Sequence, residues 1–227
     1  MNLDAANALI QERPPLHDFR GDGKLVVGGM EPAMGQRFIT ELTALEEPAI
    51  IETGAGLSTL LFCCLSPGRV TSVSPNMHGL WDRILAEARK REIDTSPLRA
   101  LHDRSDLALP PLALGGESVD AAFIDGDHGW PSVFVDFCYM YMMLREDGLL
   151  FVDDVQLHSV SQLVLMLRHQ PGFQLKGIAG KMAILRKTTS DRFLPGARGQ
   201  PFIQLNSLTP SGVALAGTPP NVGGPIV

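Results

Sequence analysis

The feature that most constrains the fold is the stretch at residues 50–59, where a β-branched run ends in a carboxylate and two alternate glycines lead into an apolar segment. The run favours a strand, and the apolar residues at positions 57–65 favour a helix that begins at once. Gly54 and Gly56 allow a tight turn and leave no Cβ to block a ligand. The helix start directs free N–H groups at whatever lies above the turn. Because Glu52 would repel phosphate, the stretch indicates a positively charged cofactor.

Strands and helices alternate along the central part of the chain. Apolar residues at helical spacing separate most of the predicted strands, beginning with a helix that opens at Glu31-Pro32. This alternation predicts an α/β fold with a doubly wound, mostly parallel seven-stranded sheet that ends in an antiparallel hairpin. The predicted strands are residues 49–52, 69–73, 98–101, 119–124, 149–152, 173–178 and 182–185.

The distribution of proline and glycine predicts three parts of the chain. Residues 1–30 are rich in both and are expected to form an irregular N-terminal arm. Residues 31–187 carry the alternating pattern and form the predicted domain. Residues 188–227 are again rich in glycine and proline, and we expect a poorly packed tail there.

Composition narrows the classes of partner and the compartment. The formal net charge of −6 argues against nonspecific binding to nucleic acid, which depends on a basic surface. No apolar run approaches the roughly 18 residues that span a bilayer, and the first ten residues lack the pattern of a signal peptide. Three cysteines, two of them adjacent, suit a reducing compartment. We therefore expect a cytoplasmic protein with neither nucleic acid nor a membrane as its partner.

Polar residues follow the predicted strands at the edge where an open parallel sheet binds its ligands. Acids dominate this set, and no lysine or arginine stands among them, so the edge suits a cationic ligand, a divalent metal or both. Taken singly, each of these residues could equally cap a helix or order a turn. The set consists of Glu52, Ser74, Asn76, Asp103, Asp125, Asp127, His128, Asp153 and Asp154.

Three motifs together resemble a known family. They are Glu-Thr-Gly-Ala-Gly-Leu-Ser-Thr at residues 52–59, Phe-Ile-Asp-Gly-Asp-His-Gly-Trp at residues 123–130, and Asp-Gly-Leu-Leu-Phe-Val-Asp-Asp at residues 147–154. Over residues 31–187 the chain resembles a class I S-adenosylmethionine-dependent methyltransferase, with the small-molecule O-methyltransferase-like group as the nearest branch. The resemblance implies a Rossmann-like methyltransferase fold and S-adenosylmethionine as the cofactor.

The resemblance also implies which residues hold the cofactor. Its methionine end would contact the first strand end and the glycine turn, its ribose the second strand end, and its adenine the third. The family usually has an acid at the second strand end, where this chain has only Ser74 and Asn76, so we expect weaker binding of the ribose. The implied cofactor-binding residues are Glu52, Thr53, Gly54, Ala55, Gly56, Ser58, Ser74, Asn76, Asp103, Ser105 and Asp125.

By the same resemblance, Asp125, Asp153 and Asp154 fall where metal-dependent O-methyltransferases hold a cation, here Mg²⁺. His128 falls at the place of a general base, which makes His128 and Asp125 the candidate catalytic residues. For His128 the alternative is a hydrogen bond that orders its loop. For Asp153 and Asp154 the alternative is the N-cap of the following helix.

These expectations lead to O-methylation of a small hydroxylated molecule, such as a sugar or a secondary metabolite. One alternative is an NAD-dependent oxidoreductase on a related fold, which a missing third glycine and the neutral second strand end weaken. Another is a non-catalytic cofactor-binding protein. The helix predicted at residues 131–144 is apolar nearly all round, so it is either buried between layers or part of a homodimer contact.

Overall fold

Seven strands form one sheet in the residues that the structure, a computed structural model, describes: 1–17, 29–66 and 68–206. The strands are β1 Ala49–Thr53, β2 Arg69–Val73, β3 Leu98–Leu101, β4 Val119–Ile124, β5 Leu144–Val152, β6 Phe173–Ala179 and β7 Met182–Lys187. The helices are α1 Leu3–Glu12, α2 Pro32–Leu42, α3 Leu57–Leu65, α4 Leu80–Lys90, α5 Ser105–Leu114, α6 Ser132–Met143, α7 His158–Arg168 and α8 Pro201–Asn206, with 3-10 turns at Met77–Gly79 and Ala197–Gly199.

The strand order is β3-β2-β1-β4-β5-β7-β6. β1 to β5 run parallel to one another, whereas β7 runs antiparallel to both β5 and β6. The order reverses between β1 and β4, and this is the position at which an open α/β sheet binds ligands. The predicted fold, a doubly wound and mostly parallel sheet with a terminal antiparallel hairpin, is confirmed.

Backbone hydrogen bonds continue past the strand ends and hold the loops of this edge together. The Gly54 N–H donates to the Val73 carbonyl, the Asp125 N–H to the Thr53 carbonyl, and the Asp153 N–H to the Ile124 carbonyl, each at 3.0 Å. The first residue beyond each strand is therefore fixed against its neighbour. As a result, residues distant in sequence meet at one edge.

The hydrophobic core lies in two layers, one on each face of the sheet. Along β4, Ala121 and Phe123 face the layer built on α1 to α4, while Ala122 and Ile124 face the layer built on α5 to α7. The alternation follows from the period of two along a strand. α6 buries most of its apolar residues in the second layer, as one of its two interpretations predicted; the homodimer contact stays a prediction.

The N-terminal segment differs from the sequence prediction. Residues 3–12 form α1 instead of an irregular arm, because Ala6, Leu9 and Ile10 fall on one apolar face and are fully buried. The Asn2 side chain caps the helix by accepting from the Ala5 N–H at 3.1 Å. α1 packs so closely on α2 that a Cβ at Gly35 would overlap Ile10. The rest of the predicted arm, residues 18–28, lies outside the described residues.

Three further elements depart from their predicted form. α5 was not predicted, because it contains Pro110 and Pro111, which ordinarily argue against a helix. β5 begins at Leu144, ahead of the strand predicted at residues 149–152, because an irregularity around Asp147, at φ +62°, lies inside the strand. The predicted tail contains α8, and its residues 207–227 lie outside the described part.

In the same described residues, no helix is both long enough and apolar enough to cross a membrane. Cys63, Cys64 and Cys138 are all free thiols.

Phe38 offers a direct test of the first core layer. Its ring lies 5.0 Å from the ring centroids of Phe62 and Phe123 and 4.8 Å from that of Phe151. Phe38→Ala should lower the free energy of unfolding by about 3–5 kcal/mol, because it leaves a cavity among rings that cannot collapse. Urea unfolding measures this. The matched control is Phe193→Ala, whose side chain is 68% exposed and which should change stability by less than about 0.5 kcal/mol.

Candidate active site

A cavity of about 470 Å³ opens above the carboxyl ends of β1 and β4, where the strand order reverses. Its wall is formed by the glycine turn, the ends of β2, β4 and β5, the start of α5 and an N-terminal segment. Twelve of the residues predicted from the sequence line it: Thr53, Gly54, Ala55, Gly56, Ser58, Ser74, Ser105, Asp125, Asp127, His128, Asp153 and Asp154. Glu52, Asn76 and Asp103 are not among the residues of the wall.

The glycine turn has the geometry that the sequence predicts. Gly54 adopts φ +82°, and a Cβ there would overlap the Asp125 carbonyl oxygen. A Cβ at Gly56 would overlap the His17 ring, which lines the cavity beside it. Glycine is needed at both positions, because one has a left-handed backbone and the other has a close neighbour.

Glu52 lies behind the turn and is fully buried. Ser58 Oγ donates to its Oε2 at 2.6 Å, and Thr59 Oγ1 donates to its Oε1 at 2.5 Å. Thr59 Oγ1 also accepts from the Gly56 N–H at 3.0 Å. Burial raises the pKa of Glu52 to about 7, although the hydroxyl hydrogen bonds oppose the shift. Instead of facing the cavity, the Glu52 carboxylate holds the start of α3 against β1.

The ends of β2 and β3 contribute less than the sequence predicts. Ser74 lines the cavity, but Asn76 Oδ1 accepts from the Trp81 N–H at 3.2 Å and so caps α4. Asp103 is exposed and its Oδ1 accepts from the Arg104 N–H at 2.8 Å. The side chains of Asn76 and Asp103 therefore order the local backbone instead of facing the cavity, which is the alternative given above for these residues. Each accepts a hydrogen bond from a backbone N–H group that follows it in the chain.

An acidic cluster with one histidine forms another part of the wall. His128 Nε2 lies 3.6 Å from Asp125 Oδ1 and 3.7 Å from Asp154 Oδ2, and the potential ligand atoms of these three residues all lie within 4.8 Å of one another. His128 Nε2 and Asp153 Oδ1 are buried atoms without a hydrogen-bond partner. Such orphaned atoms, facing acids, fit the binding of a cation.

The loop that carries His128 is fixed by its own side chains. Asp127 accepts from the Gly129 N–H at 2.9 Å and from Ser132 Oγ at 2.8 Å, and these hydrogen bonds hold its pKa below the ordinary value. Ser159 Oγ donates to the His128 carbonyl oxygen. The imidazole is therefore presented to Asp125 and Asp154 by an ordered loop.

Lys181, which lies outside the three motifs and was not among the predicted site residues, pairs with two of the acids. Its Nζ lies 2.6 Å from Asp154 Oδ1 and 3.1 Å from Asp153 Oδ2. The sequence signal was present: the hairpin returns antiparallel to β5, so its tip at Ala179-Gly180-Lys181 must reach the end of that strand. We interpreted these residues only as a turn.

The carboxyl groups of the cluster differ in their protonation. Burial and the neighbouring Asp153 carboxylate raise the pKa of Asp125 well above its ordinary value. Burial alone would also raise the pKa of Asp154, but its hydrogen bonds to Lys181 and Gln156 bring it below that value. Asp154 is thus an ionised acid beside one that retains its proton to higher pH.

The N-terminal wall was missed from the sequence. Arg13, Pro14, Leu16 and His17 line the cavity, and Arg83 Nε holds this segment by donating to the Leu16 carbonyl at 2.8 Å. Burial and the charge of Arg83 lower the pKa of His17. No local pattern marks the segment, because its position follows from the packing of α1 on α2 and α3.

Comparison with known proteins supports the class that this geometry suggests. Residues 51–155, which run from β1 past the end of β5, match the family model for a methyltransferase domain. The match identifies residues 51–155 as a methyltransferase domain and, with the fold and the glycine turn, agrees with the class that the motifs predicted. The match counts against the alternative of an NAD-dependent oxidoreductase. A search among curated proteins found no match.

Solved structures share the fold at low sequence identity. TomG from Streptomyces achromogenes, an O-methyltransferase solved with S-adenosylmethionine, matches with a TM-score of 0.61 and 16% identity over 82% of this chain and 89% of its own. A candidate caffeoyl-CoA O-methyltransferase from Staphylococcus aureus matches with a TM-score of 0.55 and 19% identity over 66% and 81%. The methyltransferase MycE, solved with Mg and S-adenosylhomocysteine, matches with 0.50 and 17% over 73% and 51%.

Glu52→Gln tests the buried carboxylate through its pH dependence. Because the folded pKa is about 7, above the ordinary value of 4.5, the wild type loses stability as pH rises between these values, since the unfolded chain ionises first. The variant lacks this loss. Its free energy of unfolding should therefore gain up to about 3 kcal/mol relative to wild type between pH 4.5 and pH 7.5. Urea unfolding across this range measures the difference. If the free energies of unfolding of the two proteins change in parallel with pH, Glu52 is not the buried titrating group described here.

Proposed function

We propose that the protein transfers the methyl group of S-adenosylmethionine to a hydroxyl group of a small molecule. The observation that carries the proposal is the position of the cluster of Asp125, His128 and Asp154 in the wall of the same cavity as the glycine turn. One part of the wall offers the glycine turn and the start of α3 to a cofactor, and another offers acids and an imidazole to a hydroxyl. The likeness to O-methyltransferases supports the same reaction.

The cofactor is proposed to lie along the glycine turn. Bound there, S-adenosylmethionine supplies an activated methyl group on a positively charged sulfur. Thr53 to Gly56 and Ser58 would contact its methionine end, Ser74 its ribose and Ser105 its adenine. Glu52 would act through the turn: Ser58 Oγ already donates to it, and Thr59 links it to the Gly56 N–H. The negative charge of the acidic wall would favour the cationic form of the cofactor over the neutral product.

The proposed metal residues are Asp125 and Asp154, with Asp153 as the third acid. Three carboxylates suit Mg²⁺, and MycE, which shares the fold, was solved with Mg. A divalent cation bound there would lower the pKa of a hydroxyl group held beside it.

His128 is proposed as the base that receives the hydroxyl proton. Its Nε2 is buried, has no hydrogen-bond partner and lies in the cavity wall, so a hydroxyl beside Asp125 would be within its reach. The same atom is also close enough to the acids to be a third metal ligand. Measuring metal affinity distinguishes the two roles, because replacing a metal ligand weakens the binding of the ion and replacing a base does not.

The acceptor is proposed to be a small hydroxylated molecule of the sugar or secondary-metabolite kind. The walls around Met30, Met34, Met77 and Leu57 are apolar, so the acceptor should combine an apolar body with the reacting hydroxyl. A cytoplasmic location and a homodimer stay predictions.

His128→Ala tests the base. Turnover should fall by about 10²–10⁴-fold, the usual contribution of general-base catalysis, while the affinity for S-adenosylhomocysteine changes by less than about threefold. Release of S-adenosylhomocysteine from a panel of hydroxylated acceptors measures turnover, and calorimetry measures affinity. His158→Ala, an exposed histidine of α7, is the matched control and should behave as wild type. Turnover near wild type in His128→Ala would contradict the role.

The metal proposal has its own test, with Mn²⁺ as the probe. Asp125→Asn and Asp154→Asn should each weaken Mn²⁺ binding at least about tenfold in calorimetry, because a carboxylate ligand is lost. Because the pKa of Asp125 is raised, an ion that binds its carboxylate displaces a proton wherever the acid is still protonated, so the affinity should increase with pH. Asp103→Asn, outside the cavity, is the control. Full methyl transfer after exhaustive chelation would remove the metal from the mechanism.

A further inference from the structure

The tip of the last hairpin reaches the acidic wall from the side away from the cavity. β7 pairs antiparallel with β5, with Ala183 opposite Val152, so Lys181 lies beyond the carboxyl end of β5. The Val155 N–H donates to the Lys181 carbonyl at 2.9 Å and fixes its backbone. Gly180 adopts φ +58°, and a Cβ there would overlap the Glu31 carboxylate. The position of Lys181 is therefore built into the hairpin.

The two oxygens of the Asp154 carboxylate have different partners. Oδ1 is held by Lys181 Nζ at 2.6 Å and by Gln156 Nε2 at 2.8 Å, whereas Oδ2 faces His128. The same ammonium lies 3.1 Å from Asp153 Oδ2. Lys181 is only 19% exposed and is not among the residues of the cavity wall. Of the lysines and arginines in the described residues, Lys181 is the one that pairs with this cluster.

Three neighbouring carboxylates repel one another, and the repulsion is greater where water is partly excluded. A cation held against two of them offsets part of that repulsion when no metal is bound. A divalent ion entering the same cluster must then bind a few ångströms from a fixed positive charge or displace it. Both effects weaken the binding of the ion.

We propose that Lys181 is a built-in counter-ion that competes with a divalent cation for Asp153 and Asp154 and thereby sets the metal affinity of the site. The inference rests on the metal site proposed above. Lys181 stabilises the metal-free protein, and the strength of its ion pairs determines how much metal is needed to fill the site.

The test compares Lys181→Gln, which removes the charge and keeps a hydrogen-bonding amide, with Lys181→Arg, which keeps the charge. Lys176→Gln is the matched control, because Lys176 lies on the same hairpin and pairs with Glu41 away from the cluster. Chelator-stripped proteins are titrated with Mn²⁺ in a calorimeter at one pH and ionic strength. S-adenosylhomocysteine is titrated into the same samples, and thermal unfolding is recorded with and without Mn²⁺.

Lys181→Gln should bind Mn²⁺ at least about tenfold more tightly than wild type, while Lys181→Arg and Lys176→Gln stay within about threefold. Lys181→Gln should also unfold at a lower temperature without metal and show a larger increase on adding Mn²⁺. If it is unfolded in chelator, Mn²⁺ should restore the folded state, and failure to do so would overturn the proposal.

Equal or weaker Mn²⁺ binding by Lys181→Gln overturns the counter-ion role. Absence of Mn²⁺ binding in every variant, Lys181→Gln included, overturns it together with the metal site, yet leaves the methyltransferase proposal intact if S-adenosylhomocysteine still binds. A separate result, failure of the wild-type protein to bind S-adenosylhomocysteine, would contradict the proposed cofactor site.

Discussion

The backbone pairing of β1 with β4, and its continuation past the strand ends, is the constraint on which the site depends. The Asp125 N–H donates to the Thr53 carbonyl, and the Asp153 N–H to the Ile124 carbonyl, both at 3.0 Å. These two bonds bring the glycine turn and the acids of two later loops to one edge. Gly54 is part of the same constraint, since the Asp125 carbonyl occupies the space that a Cβ would need. The cavity therefore depends on main-chain geometry before any side chain contributes.

The acids of the site lie in different environments, and these environments give them different pKa values. Glu52 is buried behind the turn, with two hydroxyl donors and a pKa near 7. Asp125 has a raised pKa, whereas Asp154 is ionised beside Lys181. Carboxylates that were all ionised at this density would repel one another, so the differences among them reduce the electrostatic cost of folding. The proposed cationic cofactor and metal would bind beside acids that already pair with one internal cation, Lys181.

Most of the fold and part of the site could be predicted from the sequence, and the division follows the range of the interactions. α3 was predicted at its observed bounds, because its apolar run and the glycines before it are adjacent in sequence. α5 was missed because its two prolines oppose a helix locally, while its burial of Leu109 and Ala113 is a long-range contribution. α1 was missed because the Pro/Gly content of the segment as a whole concealed one apolar face.

The same division applies to the site. The sequence determined that Asp125, His128, Asp153 and Asp154 follow strands of one parallel sheet, and hence that they meet at one edge. Only the tertiary structure decided the direction of each side chain: Glu52 turns away from the cavity toward two hydroxyls, and Asn76 caps a helix. It also decided that Lys181 joins the acids and that residues 13–17 close the cavity. These outcomes depend on how the last hairpin and the first helix pack on the sheet. Such packing couples residues far apart in sequence, and local pattern carries little information about it.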